Sequence, residues 1–172
     1  MQLLCRPLRT NISMKKSKGF TLIEILVVTT ITLIFLGVGL VQYNTYTEQA
    51  KLKNEGKKLV DVLELAKKKA LSADLQDKNC INFTGYRVTI SPPSTYSFKF
   101  CCAPTCTVVQ SYTIPTSNIT ITAGADDYDF SPLMTSPIFV SDTISLRNSA
   151  ISKTINISIS PIGVIELDET LL

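Results

Sequence analysis

Three groups of side chains in this 172-residue chain could do chemistry. They are four cysteines (Cys80, Cys101, Cys102 and Cys106), three aspartates in "GADDYDF" (Asp126, Asp127 and Asp129), and one carboxylate, Glu24, set in an apolar run. Cysteines offer metal ligation or disulfides. "CCAPTC" has no CxxC hook and no second hook to match it, so disulfides are expected rather than zinc. A bridge between adjacent residues is strained, so Cys80 is expected to bond to Cys101 or Cys102, and Cys106 to the other. The aspartates lack the alternating oxygens, the glycine and the distal glutamate of a calcium loop, and read as a turn closing a strand. No histidine is present, which removes the commonest general base and zinc ligand. GxSxG does not occur, and no nucleotide-binding glycine loop is found. No catalytic residue, metal or cofactor is therefore expected, and the chain does not read as an enzyme. "NFT", "NIT" and "NIS" at Asn82, Asn118 and Asn156 match a glycosylation pattern that Thr-rich strands produce by chance.

Glu24 needs a different explanation. Phe20 to Val41 is a run of 22 residues in which it is the only charge. At about 1.5 Å per residue such a helix spans roughly 33 Å, enough for a bilayer core of about 30 Å. A secretory signal peptide would have a shorter apolar region and a small-x-small cleavage site, whereas "QYNTYTEQAKLKNEGKK" continues this helix. Arg6, Arg9, Lys15, Lys16 and Lys18 precede the run, so the N-terminus is expected to stay cytoplasmic and the rest to be exported. Removing those five from seventeen basic residues leaves twelve against fourteen acidic ones, a formal −2. The chain is basic only through its leader and does not have the charge of a nucleic-acid binder. Four cysteines behind a membrane-targeting segment also fit an oxidising compartment.

An ionised carboxylate at the centre of a membrane helix costs on the order of 2.5–3.5 kcal/mol on insertion scales, less near the interface, and such residues mark function. The string around it, "KGFTLIEILVV", resembles the processing site of type IV prepilins and type II secretion pseudopilins. The resemblance covers residues 15 to about 41, with Met14 as the expected start of a six-residue leader. It implies that a prepilin peptidase/methyltransferase cuts after Gly19 and methylates the new amine of Phe20. It also implies that Glu24 takes part in assembly, the carboxylate of one subunit meeting the Phe20 amine of another. The expected partners are other pilins or pseudopilins, an inner-membrane assembly platform and lipid. The implied location is the inner membrane of a bacterium, with the head periplasmic or extracellular.

Beyond the run, Leu52, Gly56, Leu59, Leu63, Ala66 and Ala70 recur at helical spacing, so the helix is expected to continue to about Ser72 with one apolar stripe. Lys51, Lys53, Lys57, Lys58 and Lys67 to Lys69 occupy the other faces, with Glu48, Glu55, Asp61 and Glu64 interspersed. They read as a solvated face, and nucleic acid is a conceivable but not a favoured partner. From Asn82 the period becomes two. Strands are expected within 86–90, 95–100, 107–114, 118–122, 137–140, 143–147, 153–160 and 164–167, paired antiparallel. The expected fold is α+β, a long helix packed on an antiparallel head. It divides into a leader (1–19, removed), a transmembrane and assembly helix (20–41), an amphipathic helix (42–78) and a β-rich head (79–172). The closing "TISLRNSAISKTINISISPIGVIEL" is similar to H-type minor pseudopilins and T-type fimbrial minor pilins. The reading is a structural, minor subunit of a type IV pilus or type II secretion pseudopilus. The alternative is a binding module for DNA uptake or adhesion on the same scaffold.

Overall fold

The structure is a computed structural model that describes residues 19–75, 79–132, 142–161, 163–168 and 170, with backbone alone at 38–41. The leader residues Arg6 to Lys18, with Met14, and the strand expected at 137–140 lie outside the described residues. One helix, α1 (Leu22–Leu71), is followed by eight strands among the described residues. By its contacts the chain divides into two units, Met1–Val41 and Gln42–Leu172.

In the first unit the described residues from Phe20 to Leu36 are all exposed. The most apolar 18-residue window of α1 has a mean hydropathy of 2.3 and none of it is buried. Hydroxyls in that window are satisfied without a neighbour. Thr29, Thr30 and Thr32 donate through Oγ1 to the carbonyls of Leu26, Val27 and Thr29 at 2.9, 2.8 and 2.9 Å. A hydroxyl bonded to its own helix keeps the price of entering hydrocarbon low.

In the second unit the helical stripe is the buried face: Leu52, Leu59, Leu63, Ala66 and Ala70 are fully covered. Gly56 lies on the same face for a steric reason. A Cβ there would stand 2.5 Å from Ile155 Cδ1 and 3.2 Å from Leu167 Cδ1, so the missing side chain lets the helix approach that closely. The helix stops at Leu71 through its own backbone. Ala73 adopts φ 48°, and the Ala73 and Asp74 amides donate to the Ala70 and Lys69 carbonyls at 3.0 and 3.1 Å. This pair of bonds is the Schellman arrangement, here on an alanine instead of the usual glycine.

The strands are β1 (Phe83–Ser91), β2 (Thr95–Cys102), β3 (Thr105–Thr113), β4 (Ile119–Ala123), β5 (Asp127–Phe130), β6 (Asp142–Asn148), β7 (Lys153–Ile159) and β8 (Ile165–Asp168). They form two four-stranded antiparallel sheets, β3-β2-β1-β5 and β4-β6-β7-β8. Alternate residues point to opposite faces of a strand. Tyr86, Val88 and Ile90 of β1, Tyr96, Phe98 and Phe100 of β2, and Ile155, Ile157 and Ile159 of β7 accordingly join the helical stripe in one core. Tyr86 stacks on Phe98 with centroids 5.0 Å apart and meets Phe100 edge-on at 5.6 Å.

One sequence expectation needs correcting. Residues 127–130 are a strand and not a turn. Asp127 is exposed and Asp129 half-buried, while Tyr128 and Phe130 between and after them are buried and put their rings into the core. Burial of two aromatic rings outweighs the low β propensity of aspartate.

A buried amide joins the helix to the second sheet. Asn148, fully buried at the end of β6, donates through Nδ2 to Glu48 Oε2 at 2.9 Å, and its Oδ1 accepts from the Ala150 amide at 2.9 Å. Glu48 also accepts from Lys51 at 2.6 Å. The Lys51 bond, then the Asn148 bond, hold the Glu48 carboxyl below the usual carboxylate range. A folded-state value below the unfolded one means stability that is present above about pH 4.3 and lost as pH falls through the folded value. Replacing Asn148 by leucine is expected to destabilise the head by about 1–3 kcal/mol at neutral pH. It should also make the acid limb below about pH 4.3 shallower than in wild type. Urea melts of both proteins between pH 7 and pH 3 check this; an unchanged acid limb would show that Glu48 gains nothing from the amide.

Candidate functional site: the N-terminal segment and the polar clusters of the head

The N-terminal segment is built by the start of α1. Gly19 and Phe20 precede the helix, and Phe20 is 77% exposed. Thr21 is the capping residue: its carbonyl accepts from the Glu24 and Ile25 amides at 3.1 and 3.2 Å, and its Oγ1 accepts from the Glu24 amide at 3.3 Å. Glu24 is thus the third helical residue. Thr-x-x-Glu is the spacing of a capping box, and the positive end of the helix dipole lies where this carboxylate stands. Sequence reasoning placed Glu24 a turn inside an apolar run and passed over Thr21. The signal was present in "TLIE" and would have been found by looking for a helix start instead of a membrane span. Among the described residues, nothing beyond the adjoining residues and the helix's own backbone comes within 4 Å of a Cβ built at Gly19 or Gly37.

The cysteines are joined as Cys80–Cys102, with Cα atoms 6.0 Å apart, and Cys101–Cys106, with Cα atoms 4.0 Å apart. Because neighbours on a strand face opposite ways, Cys101 reaches across the hairpin to Cys106 on β3, whereas Cys102 turns toward the core and holds the segment that follows α1. The same segment is tied by Tyr86, whose hydroxyl donates to the Asp74 carbonyl at 2.5 Å, and by Lys69, 2.6 Å from Asp74. Burial pushes the Tyr86 hydroxyl up to about 12, with the Asp74 charge acting in the same direction.

The aspartates meet a cation from the protein itself. Arg87 on β1 faces β5, and its Nε and Nη2 donate to Asp129 at 2.6 and 2.8 Å while Nη1 donates to Asp127 at 2.9 Å. The fork geometry of guanidinium suits this two-carboxylate grip. The Asp129 bond, above all, raises the Arg87 pKa. Asp126 accepts from the Asp127 amide at 2.7 Å. Arg87 was not singled out from sequence, because nothing local marks a pairing across some forty residues. A shallow cleft of about 340 Å³ beside it is lined by Thr84, Arg87, Pro104, Thr105, Cys106 and Asp129 among others. Among the described residues no three His, Cys, Asp or Glu side chains gather to hold a metal ion.

The helix lysines lie beside carboxylates. Lys51, Lys58 and Lys67 stand 2.6, 2.7 and 3.5 Å from Glu48, Glu55 and Glu64, each one turn away. Glu55 is itself largely buried, near the stacked Tyr96–Tyr112 pair. Burial first, then the Glu55 charge, pushes the Tyr96 hydroxyl up to about 12.

Compared with known proteins, residues 14–40 match the model of the prokaryotic N-terminal methylation motif. No curated protein and no solved structure matches the chain. That motif, heading an apolar stretch long enough to cross a membrane, supports the type IV prepilin and pseudopilin family, whose members are structural subunits processed by prepilin peptidase and assembled with other pilins.

Proposed function

We propose that the chain is a minor structural subunit of a type IV pilus or type II secretion pseudopilus and has no catalytic activity of its own. Its leader, 1–19, is removed by hydrolysis of the Gly19–Phe20 amide, and the freed amine of Phe20 is methylated. Residues 20–41 hold the subunit in the inner membrane with the N-terminus cytoplasmic, and residues 42–78 and 79–172 form the exported amphipathic segment and head. The inner-membrane assembly platform then passes the subunit into a fibre, where apolar helices of neighbouring pilins replace lipid around this one.

The carrying observation is the apolar first part of α1, exposed at every described residue from Phe20 to Gly37 and headed by Thr21 and Glu24. Such a surface needs lipid or other helices. In the fibre the Phe20 amine of one subunit meets Glu24 of another, and the pair fixes the register of helices that otherwise slide freely past one another. The paired lysines of α1 favour this structural role over a DNA-binding one. Intact mass and the N-terminal peptide of the protein from host membranes test the processing. The expected chain begins at Phe20 and is one methyl group heavier. A chain that keeps Lys15 to Gly19 in a host holding the peptidase would overturn the proposal.

A further inference from the structure

Among the described residues of Gln42–Leu172, Tyr43 and Tyr46 alone are exposed aromatics, at 66% and 70%. They follow Val41 by two and five residues, about 3 and 7.5 Å along a helix. The polar layer on each side of a bilayer core is about 5–7 Å thick, so a span filling the core through Val41 leaves both tyrosines at headgroup depth. Their spacing of three puts the rings on one side of α1. Side chains on a helix lean toward its N-terminus, which carries these rings back toward the lipid.

The neighbouring composition agrees. The segment "QYNTYT", residues 42–47, has no charge, and the first charged residue after Glu24 is Glu48. Thr47 turns its hydroxyl into the helix, donating to the Asn44 carbonyl at 2.8 Å. An apolar ring with a hydroxyl at its tip matches the boundary between acyl chains and phosphate headgroups, where one end is dry and the other wet.

We infer that Tyr43 and Tyr46 form a headgroup-level anchor that docks the subunit on the exported leaflet and fixes the depth of its span before assembly. This rests on the reading of residues 20–41 as a membrane span. Entry into a fibre must then withdraw both rings from the headgroup layer.

The chain has no tryptophan, so one substitution supplies a single fluorophore. The full chain carrying Tyr46→Trp is reconstituted in phosphatidylethanolamine–phosphatidylglycerol vesicles, with bromines placed either near the acyl carbonyls or at mid-chain. The emission is expected to lie to the blue of solvent-exposed tryptophan and to be quenched about twofold more by the shallow bromines. A separate Ile31→Trp chain reports the span and should favour the deep bromines. Deep quenching at position 31 with unquenched, solvent-like emission at position 46 would overturn the anchor and leave the span standing. No quenching at either position would take down both. In the Ile31→Trp background, adding Tyr43→Ser and Tyr46→Ser should shift the quenching depth; an unchanged profile would show that the tyrosines do not set it.

Discussion

Glu24→Leu subunits are expected to be processed and held in the membrane as wild type is, yet to enter fibres at least about tenfold less, a deficit of about 1.4 kcal/mol or more. Removing the carboxylate takes away an insertion penalty of up to about 3.5 kcal/mol, so membrane retention should not fall. Assembly loses the only charge in the span that can meet the Phe20 amine of a neighbour. An amine buried without its partner costs about 3–5 kcal/mol by analogy with broken buried pairs, which makes the deficit large. Glu24→Gln keeps shape and hydrogen-bonding capacity without charge and should fall between the two. Thr21→Ala removes the cap seen at 3.3 Å and costs helix stability of about 1 kcal/mol, but leaves the ion pair available. Counting labelled subunits in sheared fibres against those left in membranes separates the cases. Equal incorporation of Glu24→Leu would mean that the carboxylate serves the helix start alone.

Gly85→Ala is expected to produce a large loss of head stability. Gly85 has φ +135°, a conformation open in practice only to glycine, at an irregularity in the β1–β2 register. A Cβ there would run into the carbonyl oxygen of Phe130 on the neighbouring strand. Backbone strain of about 1–3 kcal/mol and overpacking of about 1–3 kcal/mol together predict a loss of about 2–6 kcal/mol. Because Phe130 and Tyr128 fill the core from the same strand, relief by moving β5 away would empty that core. Gly37→Ala is the control, since a Cβ there meets nothing within 4 Å. Thermal unfolding of the full chain in detergent, followed by loss of sheet circular dichroism, should show a lowered midpoint for the first and none for the second. Equal midpoints would refute the close approach of β5 to Gly85.

Much of this was legible in the residues. A run of 22 apolar positions broken by one carboxylate is a local property, and so is the period that buries Leu52, Leu59, Leu63, Ala66 and Ala70. The change to period two announced strands within β1 to β4 and β6 to β8, because alternation records which side of a strand faces away from water. "DYDF" was not legible as β5. Its aspartates have low strand propensity, and only the pairing with β1 supplies Arg87 as their counter-charge and a core for the two rings between them.

By itself, then, the sequence determined what depends on near neighbours: the uncovered N-terminal helix, its Thr21–Glu24 start, the amphipathic stripe and the antiparallel class of the head. Tertiary structure decided what depends on residues far apart in the chain. It divided the strands between two sheets and paired Cys80 with Cys102 and Cys101 with Cys106. It joined Arg87 to Asp127 and Asp129, set Asn148 on Glu48 a hundred residues earlier, brought Ile155 and Leu167 close over Gly56, and required glycine at position 85. The reason is the range of the forces. Helix and strand periodicity follow from the backbone geometry of a few residues, whereas register, charge partners and close approach exist only once distant segments exclude water from between them.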